Sequence, residues 1–218
     1  MSLHLQRDLD ALKKEVLQLG NLVESAINAA ILALNNRETE LADKVMQYEK
    51  EINDKEVYIE EECLKILALH QPVAVDLRFI VVVLKVNNDL ERMGDFAKNI
   101  AKRAIFLATQ PPIPIFQEFA VDLPVMVRSM VRKSLDALVT LDVDLARNVI
   151  KMDEKVDEIN REMYVEVHRI IQQDASKAEV AMSLLSTSRY MERIADLSTN
   201  IAEDVMFMVE GRVFRHME

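Results

Sequence analysis

Leu90-Glu91-Arg92-Met93-Gly94-Asp95-Phe96-Ala97-Lys98-Asn99-Ile100-Ala101 comes back 101 residues later as Met191-Glu192-Arg193-Ile194-Ala195-Asp196-Leu197-Ser198-Thr199-Asn200-Ile201-Ala202. Glu, Arg, Asp, Asn, Ile and Ala keep their places in both blocks. Upstream, Leu41-Ala42 with Val45 matches Leu145-Ala146 with Val149, and Glu49 matches Asp153, now 104 residues apart. The slip of three residues falls in the loop between the second and third helix of each half. Identical polar residues in fixed order are harder to produce by chance than apolar periodicity, so the chain reads as a tandem duplication.

The repeated unit is helical. Leu5, Leu9, Leu12, Val16, Leu19, Val23, Ala26, Ala30 and Leu34 recur every three or four residues, the seam of a helix packed in a bundle. A second run goes from Leu41 to Ile66, and a third follows Gln71-Pro72, with the proline expected in its first turn. Gln110-Pro111-Pro112-Ile113-Pro114 ends that run, because proline lacks the amide and fixes φ. Three more helices are predicted at about 116–140, 142–173 and 176–210, with a capping box from Ser176 to Glu179 and Gly211 as the last C-terminal cap. Only three glycines and five prolines punctuate 218 residues, too few turns for a β-rich chain. Six helices of roughly 25–37 residues, against a mean of about 11–12, mean bundles. The predicted fold is all-α: two tandem, pseudo-symmetric antiparallel three-helix bundles, 1–110 and 111–218.

With 27 basic and 37 acidic residues the net charge is −10, which argues against a nucleic-acid footprint and against adhesion to anionic membranes. A single cysteine, Cys63, falls on an apolar seam, excludes an intramolecular disulfide and fits a reducing compartment. Arg7 and Asp8 interrupt the first ten residues where a signal peptide would be apolar, and the longest aliphatic run, Phe79–Leu84, is too short to span a bilayer. The expectation is a cytoplasmic protein without direct membrane insertion.

Chemistry concentrates in carboxylates spaced four apart. Each third helix carries acid-x-x-x-Asp, Glu91/Asp95 and Glu192/Asp196; each second helix carries a related pair, Glu49/Asn53 and Asp153/Asp157. Residues four apart share a helix face. With hairpin turns at about residues 71 and 175, the pairs lie about 20 and 22 residues from the first turn and about 20 and 19 from the second, only a few ångströms apart in height at about 1.5 Å rise per residue. The pairs can therefore face each other, twice. Converging carboxylates repel unless a cation or proton neutralises them, and oxygen-only ligands suit hard or borderline cations such as Mg²⁺, Mn²⁺, Ca²⁺ or iron. Asn53 leaves the first half with three carboxylates where the second has four. The same spacing equally describes a solvated acidic stripe paired with Arg92, Arg193, Lys50 and Lys155. Asn99 and Asn200 share the acidic face as candidate donors to the acids.

Other chemistry is thin. His4, His70, His168 and His216 are scattered and none follows a Glu by three, which excludes the ferritin type of di-iron site. No P-loop is present and no Ser or Cys has a recognisable base partner. The 12 methionines read as packing, and Arg128, Arg132 and Lys133 as a solvated face or docking patch.

Gln71-Pro72-Val73-Ala74-Val75-Asp76-Leu77-Arg78, with the blocks Leu90–Ala101 and Met191–Ala202, resembles the PhoU family, the phosphate-transport-system regulators of bacteria. The resemblance spans essentially the whole chain. It implies two three-helix bundles, frequently homodimeric, without enzymatic activity. It further implies negative regulation of phosphate uptake and of the phosphate-starvation response, through an adaptor that connects the ATPase subunit of the phosphate ABC transporter to a sensor histidine kinase. In some members such acid motifs hold multinuclear iron or zinc clusters. Residue by residue, the metal positions are Glu49, Glu91, Asp95, Asp153, Asp157, Glu192 and Asp196, with Asn53 departing from the pattern. The rival readings are a carboxylate-bridged metalloenzyme of the two-metal hydrolase type, and a purely structural helical-bundle dimer.

Overall fold

The structure, a computed structural model, describes residues 3–211; His216 lies outside the described residues. Six helices follow one another: α1 Leu3–Asn36, α2 Thr39–His70, α3 Val75–Thr109, α4 Leu123–Thr140, α5 Val143–Gln173 and α6 Ala178–Glu210. Among the described residues there is no strand. Helices α1, α2 and α3 pack on one another as one antiparallel bundle, and α4, α5 and α6 as the other. The two bundles join chiefly along α3 and α6, with α1 touching α4 beside them. The predicted pair of three-helix bundles is the observed fold.

Helix ends refine the expectation in three places. Helix α3 starts at Val75, so Pro72 precedes it; Gln71 (φ 45°) and Ala74 (φ 50°) turn the chain sharply before the first helical residue. The fourth helix becomes regular only at Leu123, after a π-helical turn over Glu118–Asp122. Pro124 explains this: its ring would clash with the carbonyl four residues back, and a wider turn clears it. The expected Ser176 capping box is replaced by an Asp174 cap. Its carboxylate accepts from the Ser176 amide at 3.1 Å and the Ser176 hydroxyl at 2.6 Å, with a 3₁₀ turn before α6. A carboxylate at a helix N-terminus also meets the positive end of the helix dipole. Gly211 does close α6, at φ 71° with its amide donating to the Phe207 carbonyl at 2.9 Å.

One apolar cluster runs through both bundles, with Leu12, Leu19, Ile52, Ile59, Leu90, Met93, Ile100 and Leu123 among its largest fully buried members. Each such side chain contributes about 1.5–3 kcal/mol relative to exposure. Cys63 belongs to this core, and burial, with Glu60 and Glu62 nearby, pushes its thiol up to about 12, which leaves it inert. Helix α1 is long and apolar enough to cross a membrane by length and composition, which the reading of aliphatic runs passed over. More than half of that apolar stretch is spent in the core.

The seam between the bundles carries polar and aromatic contacts on top of the apolar ones. Phe96 of α3 stacks on Tyr190 of α6, centroids 6.1 Å apart, and the Arg193 guanidinium lies 5.8 Å from the Phe96 centroid. Further along, Lys85 donates to the buried Asp204 at 2.7 Å, and Arg78 donates to the Met208 carbonyl at 3.2 Å, with both cations against the Phe207 ring.

Candidate metal centre

The hairpin of α5 and α6 brings the second-half acids together. Asp153 and Asp157 stand one turn apart on α5, and Asp196 faces them from α6. One carboxylate oxygen from each of the three lies within 4.8 Å of the others. Asp153 and Asp157 are half-buried, and Asp196 closes the group from the exposed rim. The Oδ1 of Asp153 is fully buried and has no hydrogen-bond partner. Buried polar atoms of folded proteins are nearly always partnered, so such an orphan marks a place where a ligand or proton belongs.

The electrostatics agree. Burial, then the charges of Asp196, Asp157 and Glu192, raise the Asp153 carboxyl to about 7. Glu192 is raised by burial and then by Asp196 and Asp157; Asp196 by burial of its inner side and then by Asp157. Glu192 stands beside the trio rather than in it, next to Asn160, which lowers its carboxyl slightly against those effects and whose Oδ1 accepts from the Ser188 hydroxyl at 2.9 Å. All the donors at this site are carboxylate oxygens, the set that hard and borderline cations prefer. The residues of the second half therefore fit a cation.

The first half uses the same positions differently. Lys98 of α3 reaches across to α2 and donates to Glu49 Oε1 at 2.6 Å, and the Asn53 amide donates to the same oxygen at 3.0 Å. Lys98 also lies 3.8 Å from Asp95. The lysine bond outweighs desolvation and holds the Glu49 carboxyl below its usual range, while Glu49 raises Lys98 in return. Glu91 is raised by burial, then by Asp95 and Glu56. Among the described residues, no three first-half acids converge as the Asp153 group does. Glu56, which occupies the place of Asn160, restores an acid to the neighbourhood but joins no such group. The first half does not fit a cation at Glu49.

The expected surface partners behave in neither simple way. Arg92 pairs with Asp89 at 3.8 Å, Lys155 with Glu158 at 2.6 Å, and Arg193 turns to Phe96. Among the described residues, neither Asn99 nor Asn200 bonds to the acids. Residue-by-residue reading of the sequence missed Lys98, although the signal was present: the aligned blocks set it opposite Thr199, whose hydroxyl donates to the Asp196 carbonyl at 2.7 Å. It also missed the matched polar bonds across each hairpin, Asn87 to the Glu56 carbonyl at 2.9 Å and Ser188 to Asn160.

A duplicated three-helix unit with acids across the second hairpin can be compared with known proteins as a whole chain. The family model described as the PhoU domain matches twice, over residues 16–104 and 122–205. The chain belongs to the PhoU family. A "phosphate-specific transport system accessory protein PhoU homolog" of Aquifex aeolicus is 37% identical over 210 residues, 96% of this chain and 95% of that one. The Escherichia coli K12 "phosphate-specific transport system accessory protein PhoU" is 32% identical over 213 residues, 96% of this chain and 87% of its own length. The crystal structure of PhoU from Pseudomonas aeruginosa superposes with a TM-score of 0.92 at 35% identity, covering 95% of this chain and 99% of that one. The Streptococcus pneumoniae phosphate transport system regulatory protein PhoU gives 0.81 at 27% identity, over 96% and 98%.

Proposed function

We propose that this protein is a negative regulator of phosphate uptake and of the phosphate-starvation response. It acts as a non-enzymatic cytoplasmic adaptor between the phosphate ABC transporter, through its ATPase subunit, and a sensor histidine kinase. It works as a homodimer, and its second repeat binds a metal through Asp153, Asp157 and Asp196 with Glu192 alongside. The observation that carries the reading is the whole-chain match to phosphate-transport accessory proteins, over both repeats and with nearly complete coverage of each chain. The metal part is supported by the convergence of three carboxylates on an unpartnered buried oxygen. Arg161 of α5 lies 4.0 Å from Asp157, but Asp153 meets acids alone; a cation there would supply the positive charge Asp153 lacks, and would fix α5 against α6.

The test is a deletion in the host, scored with a phosphate-starvation reporter at high phosphate. Deletion should derepress the reporter and the wild-type gene should silence it again. A reporter that stays fully repressible without the gene counts against the regulator. Copurification of the ATPase subunit and the kinase with the tagged chain tests the adaptor. Metal-dependent turnover of a phosphoester, lost in Asp196→Ala, would favour the two-metal hydrolase instead.

A further inference from the structure

The two repeats offer the same helix faces to the same hairpin geometry, and two of the differences between them fall on the donors to Glu49. Position 98 is Lys where position 199 is Thr, and position 53 is Asn where position 157 is Asp. Lys98 Nζ sits 2.6 Å from Glu49 and 3.8 Å from Asp95, so it bridges the two helices that a cation would bridge. Among the described residues, no such ammonium bridges α5 and α6 in the second repeat: Thr199 turns its hydroxyl to its own helix, Arg161 reaches Asp157 at 4.0 Å along α5 itself, and Asp153 keeps a buried oxygen without a partner.

We propose that Lys98 is the built-in cation of the first repeat, so that the chain binds metal in the second repeat alone. Lys98 and Asn53 together are then the residues that decide occupancy. An ammonium donates hydrogen bonds to the carboxylate oxygen whose lone pairs a metal would take, and its charge repels an incoming ion. Asn53 adds a second donor to that oxygen and removes one acid. The inference rests on the proposed metal site of the second repeat, but it makes its own demands on the first.

The experiment is a Mn²⁺ titration of the intact, chelator-stripped protein, with free Mn²⁺ read by electron paramagnetic resonance and folding checked by circular dichroism. Asp157→Asn should abolish binding, and Glu49→Gln should leave the number of bound ions unchanged. Asn53→Asp with Lys98→Thr should raise that number by at least one per chain. Thr199→Lys should weaken second-repeat binding at least about tenfold by supplying the ammonium there. Ions lost in Glu49→Gln overturn the inference, as does a folded Asn53→Asp/Lys98→Thr protein that gains none. Should that pair fail to fold, undiminished Mn²⁺ binding by Thr199→Lys overturns it instead. If the wild type and Asp157→Asn both bind nothing, the metal site of the second repeat has failed; a gain in the double variant would still uphold the role of Lys98, and no gain would end it.

Discussion

Glu49 on α2 meets a lysine at 2.6 Å and its carboxyl stays below the usual range; Asp153, its counterpart on α5, meets other acids and rises to about 7. Both hairpins descend from one template, and both carry acids across a helix pair. The first neutralises its charge from within. The second sets Arg161 4.0 Å from Asp157 but leaves Asp153 open, and an open acid is a demand for something from outside. A repeat thus preserves geometry more faithfully than it preserves electrostatics. Two residues, Lys98 and Asn53, account for the difference at Glu49.

The comparison breaks most visibly if the second repeat proves indifferent to its acids. Asp157→Asn removes a trio member, and its effect on Mn²⁺ affinity should exceed the tenfold to hundredfold that loss of an outer-sphere partner costs. Equilibrium dialysis measures it; an unchanged affinity would make the second repeat no different from the first.

Acidity sharpens the contrast next. The carboxyl of Asp153 is raised from 3.8 to about 7, so the folded chain binds its proton more tightly than the unfolded chain does. Its contribution to stability is full below about pH 4 and is lost as pH climbs through about 7, a loss on the order of 2–4 kcal/mol after allowance for its partial exposure. Glu192 and Asp196 shift in the same direction. Chelated protein should therefore melt higher at pH 5 than at pH 8, and Asp153→Asn should flatten that slope. Added metal should reverse it, because the ligands must be deprotonated to bind. Glu49, shifted downward, contributes the opposite sign, with stability present above its ordinary 4.5 and lost as pH falls through its lowered value.

A smaller effect tests the first repeat. Lys98→Met keeps the apolar stem but leaves Glu49 with the Asn53 amide as its remaining named donor, at a cost of about 1–2 kcal/mol in urea unfolding. Adding Glu49→Gln should restore most of it; no rescue would mean that Lys98 acts through packing. The smallest effect concerns the matched bonds across the hairpins. Ser188→Ala strips Asn160 of a buried donor and should cost about 1 kcal/mol. Asn87→Ala leaves a carbonyl already placed in a helix and should cost less from the hydrogen bond itself.

Much of this was legible from residues alone. The offsets of 101 and 104 predicted the repeat, and the equal heights of the acid pairs placed Asp153, Asp157 and Asp196 on facing helices, where they stand. Spacing reports which face a side chain occupies, and it stops there. It did not show that Glu192 would fall beside the trio, since spacing along a helix carries no rotamer. Lys98 was overlooked because an acid list does not ask what lies one turn further along the same face. The delayed start of α4 was hidden for a local reason: a proline is acceptable in a first turn, so Pro124 gave no sign of the π-helical turn that its ring calls for ahead of it.

The stacking of Phe96 on Tyr190 and the single apolar cluster beneath it bear on how the molecule comes apart. A duplicated gene is easily pictured as two beads on a string, each able to fold or melt alone. Here the third helix of each copy is also the other copy's wall, so neither half has a finished interior without its twin. Cooperativity spans the duplication: the two halves should melt as one body, and a cut at the proline-rich connector would yield two unfinished proteins rather than two small ones.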